Sequence, residues 1–147
     1  MAADPFDLDT YFPFFLGTIA NRWAATSSRI CLREFGIGVG EWRVLASIQS
    51  HGVASSHMVV RQIAMDAGAV SRSMARLAAE ALVEPLPDRS TQRGKPYQLT
   101  AKGHDLHARL LRNALDREAM LLRGLSDAEK EQLFRLMRRL LANVDAF

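Results

Sequence analysis

The sequence predicts a mainly α fold interrupted by one small β-hairpin, on three observations. Asp66-Ala67-Gly68-Ala69 can open a helix whose Val70, Met74 and Leu77 then repeat at helical spacing. Tyr97 and Leu99 alternate about Gln98 as strand residues do, and Gly94 supplies the permissive backbone of a turn before them. The chain on either side of this middle carries long apolar stripes of helical period. A capped helix followed at once by a basic hairpin, between longer helices, is the order of a winged helix-turn-helix with N- and C-terminal dimerisation helices.

Each element follows from local chemistry. A first helix runs from about Asp9 to Arg33, with Leu16, Ile19, Trp23, Thr26 and Ile30 on one face. Pro13 lies near its start, where a missing N–H costs little. Three glycines between Gly36 and Gly40 end it, and a second helix begins at about Glu41, pointing Trp42, Leu45 and Ile48 inward until His51-Gly52. Ser55 or Ser56 caps a short third helix with Met58, Val59, Val60 and Ile63. The fourth helix, opened by Asp66, reaches about Ala81. Thr100 caps a long fifth helix, and Ser126-Asp127-Ala128-Glu129 is a capping box that opens a sixth. Leu133, Leu136, Met137, Leu140, Leu141 and Val144 form a stripe on that last helix.

The chain of 147 residues, 48% of them hydrophobic, suits a single domain with a real core. Residues 36–100 make the winged-helix part, and 1–35 and 101–147 are the dimerisation helices. No apolar run approaches the ~18 residues of a membrane span, so no membrane partner is expected. The start of the chain lacks a basic and then apolar leader, and Cys31 has no second cysteine to pair with. A cytoplasmic location is expected. Neither a phosphate-binding glycine loop, a nucleophile elbow nor a zinc-protease helix occurs, so the chain reads as no enzyme and as needing no cofactor.

Charge is placed unevenly. Residues 61–102 hold seven cations (Arg61, Arg72, Arg76, Arg89, Arg93, Lys95 and Lys102) against four acids, whereas the remaining cations and acids balance. The whole net charge of +3 therefore lies in the helix and hairpin. Ser71, Arg72 and Arg76 fall away from the apolar stripe of the fourth helix, and small residues at its entrance permit close approach to a surface. Arginine forks onto guanine or phosphate, and serine bonds phosphate. Arg93 and Lys95 at the hairpin tip suit a minor groove or flanking phosphates. Double-stranded DNA is the expected partner. Apolar stripes too long for so small a central domain call for a second copy, and a two-fold dimer reads a palindrome. The competing reading is a dimeric helical interaction protein whose winged helix binds protein.

In this order the segments Phe35-Gly36-Ile37, Glu41-Trp42-Arg43-Val44-Leu45, Ala64-Met65-Asp66, Val70-Ser71-Arg72, Leu77, Leu82-Val83, Arg93 and Leu99-Thr100-Ala101-Lys102-Gly103 resemble the MarR family of bacterial winged-helix regulators. The resemblance implies a homodimeric repressor released from DNA by a small aromatic or phenolic ligand. It also implies a pocket between the first, second and fifth helices, near Trp23, Ser27, Trp42 and Arg43, with the arginine as carboxylate clamp. Ala81 stands where the family usually ends its helix with glycine, and Thr91-Gln92-Arg93 where it usually has Asp-x-Arg.

Two further groups read as structural. Cys31, with Arg29 and Arg33 nearby, is expected to be a packed core residue, not an oxidant sensor. His104 and His107, three apart, are expected on a solvated face and not as metal ligands.

Overall fold

The computed structural model describes residues 7–86 and 94–146. The elements are α1 (Phe12–Ile30), α2 (Val39–His51), β1 (Ala54–Ser55), α3 (Ser56–Ile63), α4 (Ala67–Ala79), β2 (Val83–Pro85), β3 (Pro96–Leu99), α5 (Ala101–Leu121) and α6 (Asp127–Val144). The mainly α architecture with a small sheet is as the sequence predicts.

Pro13 sits in the first turn of α1, and the helix loosens into a π-helical turn at Cys31–Phe35. Gly36 stops it in the left-handed region at φ 71°. The second helix begins at Val39, two residues before the expected Glu41. Gly38 N–H donates to Glu41 Oε2 at 2.6 Å, so an orphan donor of the helix start is satisfied and Gly40 is carried inside the first turn. Ser55, not Ser56, caps α3, its Oγ accepting from Met58 N–H. Met58 is exposed, and Val59 is the residue of α3 that is fully buried.

β1 is a two-residue strand that the sequence pattern does not reveal. It pairs antiparallel with β3 through Ala54–Tyr97 and Ser55–Pro96, and β2 pairs with the other edge of β3. Pro85 is tolerated because β2 is an edge strand, where a missing N–H breaks no ladder bond. Gln98 Nε2 donates across the strands to Glu84 Oε1 at 2.8 Å.

The core gathers Val44, Leu45 and Ile48 of α2, Val59 of α3, Val70, Met74 and Leu77 of α4, and Leu82, Val83 and Leu99 of the sheet. Each such side chain, fully buried, contributes about 1.5–3 kcal/mol over exposure. Cys31, Leu106 and Leu110 belong to this same core. The packed unit therefore extends to Leu110, because the turn that follows α1 and the first half of α5 bury these side chains in it.

A second unit runs from Leu111 through the rest of α5 and α6. Gly124, at φ 88°, turns the chain between these helices. Ser126 Oγ accepts from Glu129 N–H while Glu129 Oε2 accepts from Ser126 N–H at 2.7 Å, which closes the expected capping box. These bonds to Ser126 hold the Glu129 carboxyl below the usual range. No residue of α6 is buried, and Leu133, Leu136, Met137, Leu141 and Val144 are exposed. In the first unit, Phe12, Phe14, Phe15, Leu16 and Ile19 of α1 are exposed as well.

Candidate nucleic-acid interface

The fourth helix is oriented by its two faces. Asp66 Oδ1 accepts from Ala69 N–H at 2.8 Å and caps it. Val70, Met74 and Leu77 are sunk in the core, which leaves Ser71, Arg72 and Arg76 on the exposed side. A Cβ on Gly68 would lie 3.1 Å from Arg72 Nη1, so the Arg72 guanidinium lies over the helix entrance. Among the described residues, Arg72 enters no ion pair. Arg76 does: its Nη1 stands 3.8 Å from Glu41 Oε1, with 54% of the arginine side chain exposed against 14% of the glutamate.

The helix ends at Ala79, and the chain turns at Ala81, which adopts φ 54°. Alanine thus takes the left-handed conformation ordinarily left to glycine. Lys102 Nζ donates to the Glu80 carbonyl at 2.7 Å. One cation of the expected basic footprint is therefore spent on the carbonyl end of α4, where the helix dipole favours it. Thr100 Oγ1 donates to the Ala81 carbonyl at 2.7 Å and accepts from Gly103 N–H at 3.0 Å, so the end of α4 and the start of α5 share one hydroxyl.

On the hairpin, Lys95 is exposed beside Gly94, whose φ is 103°. Arg93 and Arg89 lie outside the described residues. Sequence reasoning missed a neighbouring hollow of about 810 Å³, lined by His51, His57, Met58, Arg61, Gln62 and Pro96 among others. No carboxylate is among its described walls. The signal for it was present in the two histidines beside Arg61, but only the fold brings His51 of α2 to the start of α3.

Of the four residues suggested for a ligand, two line a common hollow. Trp42 and Arg43 line a shallow depression of about 360 Å³ with Ala46, Ser47, Ser50, Gln62 and Ile63, between α2 and α3. The Gln62 side chain spans it, bonded to Ser47 and Ser50. Trp23 and Ser27 are on α1, the first half-buried and the second buried, and neither bounds this depression. The Trp42 ring instead meets His107 of α5, with centroids 5.3 Å apart. Burial, and then the neighbouring His104, hold the His107 pKa below the usual imidazole value. Among the described residues, no group of three or more His, Cys, Asp or Glu is placed to hold a metal, and no helix is long and apolar enough to cross a membrane.

Residues 45–142 match the family described as Replication-relaxation. No curated protein sequence matches the chain. Among solved structures, a MarR/EmrR family transcriptional regulator from Acinetobacter sp. ADP1 is 29% identical, covers 97% of this chain and 100% of its own, and superposes with a TM-score of 0.89. MepR of S. aureus, solved as a DNA complex, shares the fold at 18% identity, with 92% and 98% of the two chains covered and a TM-score of 0.79. BpsR of Bordetella bronchiseptica, whose DNA binding is regulated by 6-hydroxynicotinic acid, shares it at 21% identity, 94% and 99% coverage and a TM-score of 0.78. The chain belongs to the replication-relaxation family over residues 45–142, and its winged helix, flanked by α1, α5 and α6, has the fold of the MarR family transcriptional regulators.

Proposed function

We propose that the protein is a homodimeric repressor that reads a palindromic operator with α4 and is released by a small aromatic acid. The observation that carries this reading is the division of α4. Its apolar residues are locked in the core, while Ser71 and Arg72 stand exposed beside a small-residue entrance. Arg72 is assigned to base edges or phosphate, Ser71 to phosphate, Arg76 to the next turn of the groove, and Lys95 with Arg93 to the flank.

The dimer rests on the exposed apolar residues of α1 and of α6, faces that a lone chain leaves in water. Half-sites then lie about one DNA turn, ~34–36 Å, apart. The effector is assigned to the neighbourhood of Trp42 and Arg43, where a ring can lie on the indole and a carboxylate on the guanidinium. That BpsR responds to a hydroxylated aromatic acid supports this class of ligand.

Competition binding tests the reading. The protein should retain DNA from upstream of its own coding region against an excess of random duplex, and affinity should fall steeply with salt as phosphate counterions are released. Equal binding to upstream and random DNA at moderate salt overturns it.

A further inference from the structure

We infer that Glu41 is a positioning residue that holds Arg76 in place for DNA. This rests on the reading that α4 faces the operator. Glu41 lies on a different helix from Arg76 and is itself anchored, since its Oε2 accepts from Gly38 N–H at 2.6 Å. Its remaining oxygen, Oε1, is the one 3.8 Å from Arg76 Nη1. The carboxylate is largely buried and the guanidinium half-exposed, so the acid is the fixed partner and the arginine the guest.

An arginine side chain loses much rotamer freedom when a ligand orders it, and a fixed anion at its tip removes part of that loss before DNA arrives. The guanidinium has five N–H donors, and one ion pair leaves others directed outward. Sequestration of Arg76 is disfavoured by the same geometry. The pair is long and solvent-facing, hence weak, and a phosphate can share the arginine without dislodging Glu41 from the Gly38 amide. Arg72, with no ion pair among the described residues, has no such support. The two arginines of α4 therefore meet DNA differently, one free and one held.

The test compares wild type, Glu41→Gln, Arg76→Ala and the double variant on the operator fragment and on random duplex. Glutamine keeps an acceptor for the Gly38 N–H, so the start of α2 and the thermal midpoint are preserved. Glu41→Gln is expected to weaken operator binding about 2- to 5-fold, the range of a weak ion pair, and to have no further effect once Arg76 is alanine. In the free protein, the Arg76 Nε–H should become more mobile by NMR relaxation in Glu41→Gln, a readout that a merely structural role would not move. Unchanged or tighter operator binding by Glu41→Gln overturns the inference, as does an undiminished effect in the Arg76→Ala background. If Arg72→Ala weakens operator binding but Arg76→Ala does not, the inference fails while the DNA-reading role of α4 stands. If wild type does not distinguish operator from random duplex, that role fails and takes the inference with it.

Discussion

Gly103 of α5 packs against the backbone of Leu82 so closely that a Cβ in its place would collide with the Leu82 carbonyl oxygen and lie 3.3 Å from Leu99 Cβ. The same carbonyl accepts from Thr100 N–H at 3.1 Å, and Leu82 N–H donates to the Leu77 carbonyl at 2.9 Å. The end of α4, the start of β2 and the first turn of α5 thus meet at the backbone of one residue, Leu82. Any side chain at 103 must push the long helix off the winged helix. Gly103→Ala is expected to destabilise the fold by about 1–3 kcal/mol, read as a lowered denaturant midpoint. An unchanged midpoint would show that this junction yields easily.

Ala81, two residues before β2 begins, offers the opposite case. Its φ of 54° costs an L-residue about 1–2 kcal/mol, partly offset by the lower entropy of alanine in the unfolded chain. Ala81→Gly is expected to stabilise by about 0.5–1 kcal/mol. Chemical denaturation of the two proteins side by side checks it, and a loss of stability would contradict it.

These two positions mark the limit of what sequence pattern reveals. The faces of α4, the Asp66 cap and the Ser126 capping box follow from residue type and spacing, because each is settled within one or two turns of helix. What spacing does not carry is the partner of a group far along the chain. Lys102 and Arg76 count equally as cations in a charge tally, yet one donates to the Glu80 carbonyl and the other faces Glu41. The glycines before α2 look like helix breakers until the Glu41 side chain satisfies the Gly38 N–H. A two-residue β1 exists because β3 offers it an edge, and no periodicity can announce that. Trp42 and Arg43 share a depression that Trp23 and Ser27 do not reach.

His107 gives a pH prediction of definite sign. Its pKa in the folded chain is lowered, so the unfolded chain binds the proton more readily. Stability is therefore fully present above about pH 6.5, the ordinary imidazole value, and declines as pH falls from there through the lower folded pKa. The decline should be smaller in His107→Gln, measured as thermal midpoint between pH 7.5 and 5. A midpoint that rises on acidification in the wild type but not in the variant would reverse the sign. His104, on the same helix, is the lesser cause of the shift, and its substitution by Gln should weaken the shift but not abolish it.

The proposed dimer predicts a cost without any lost DNA contact. Removing residues from Ser126 onward deletes the exposed Leu133, Leu136, Met137, Leu141 and Val144 of α6. Monomers or aggregates are expected by light scattering, with loss of operator binding. A truncated protein that stays dimeric and binds tightly would place the interface elsewhere.

Arg72 offers the sharpest test of the proposal that α4 reads sequence. Dissociation constants of wild type and Arg72→Ala should be measured on the operator fragment and on random duplex at one salt concentration. Loss of a base-edge contact is expected to cost about 1–3 kcal/mol on the operator and distinctly less on random DNA, so the ratio between them narrows. Equal losses on both duplexes, or no loss on either, would contradict the claim.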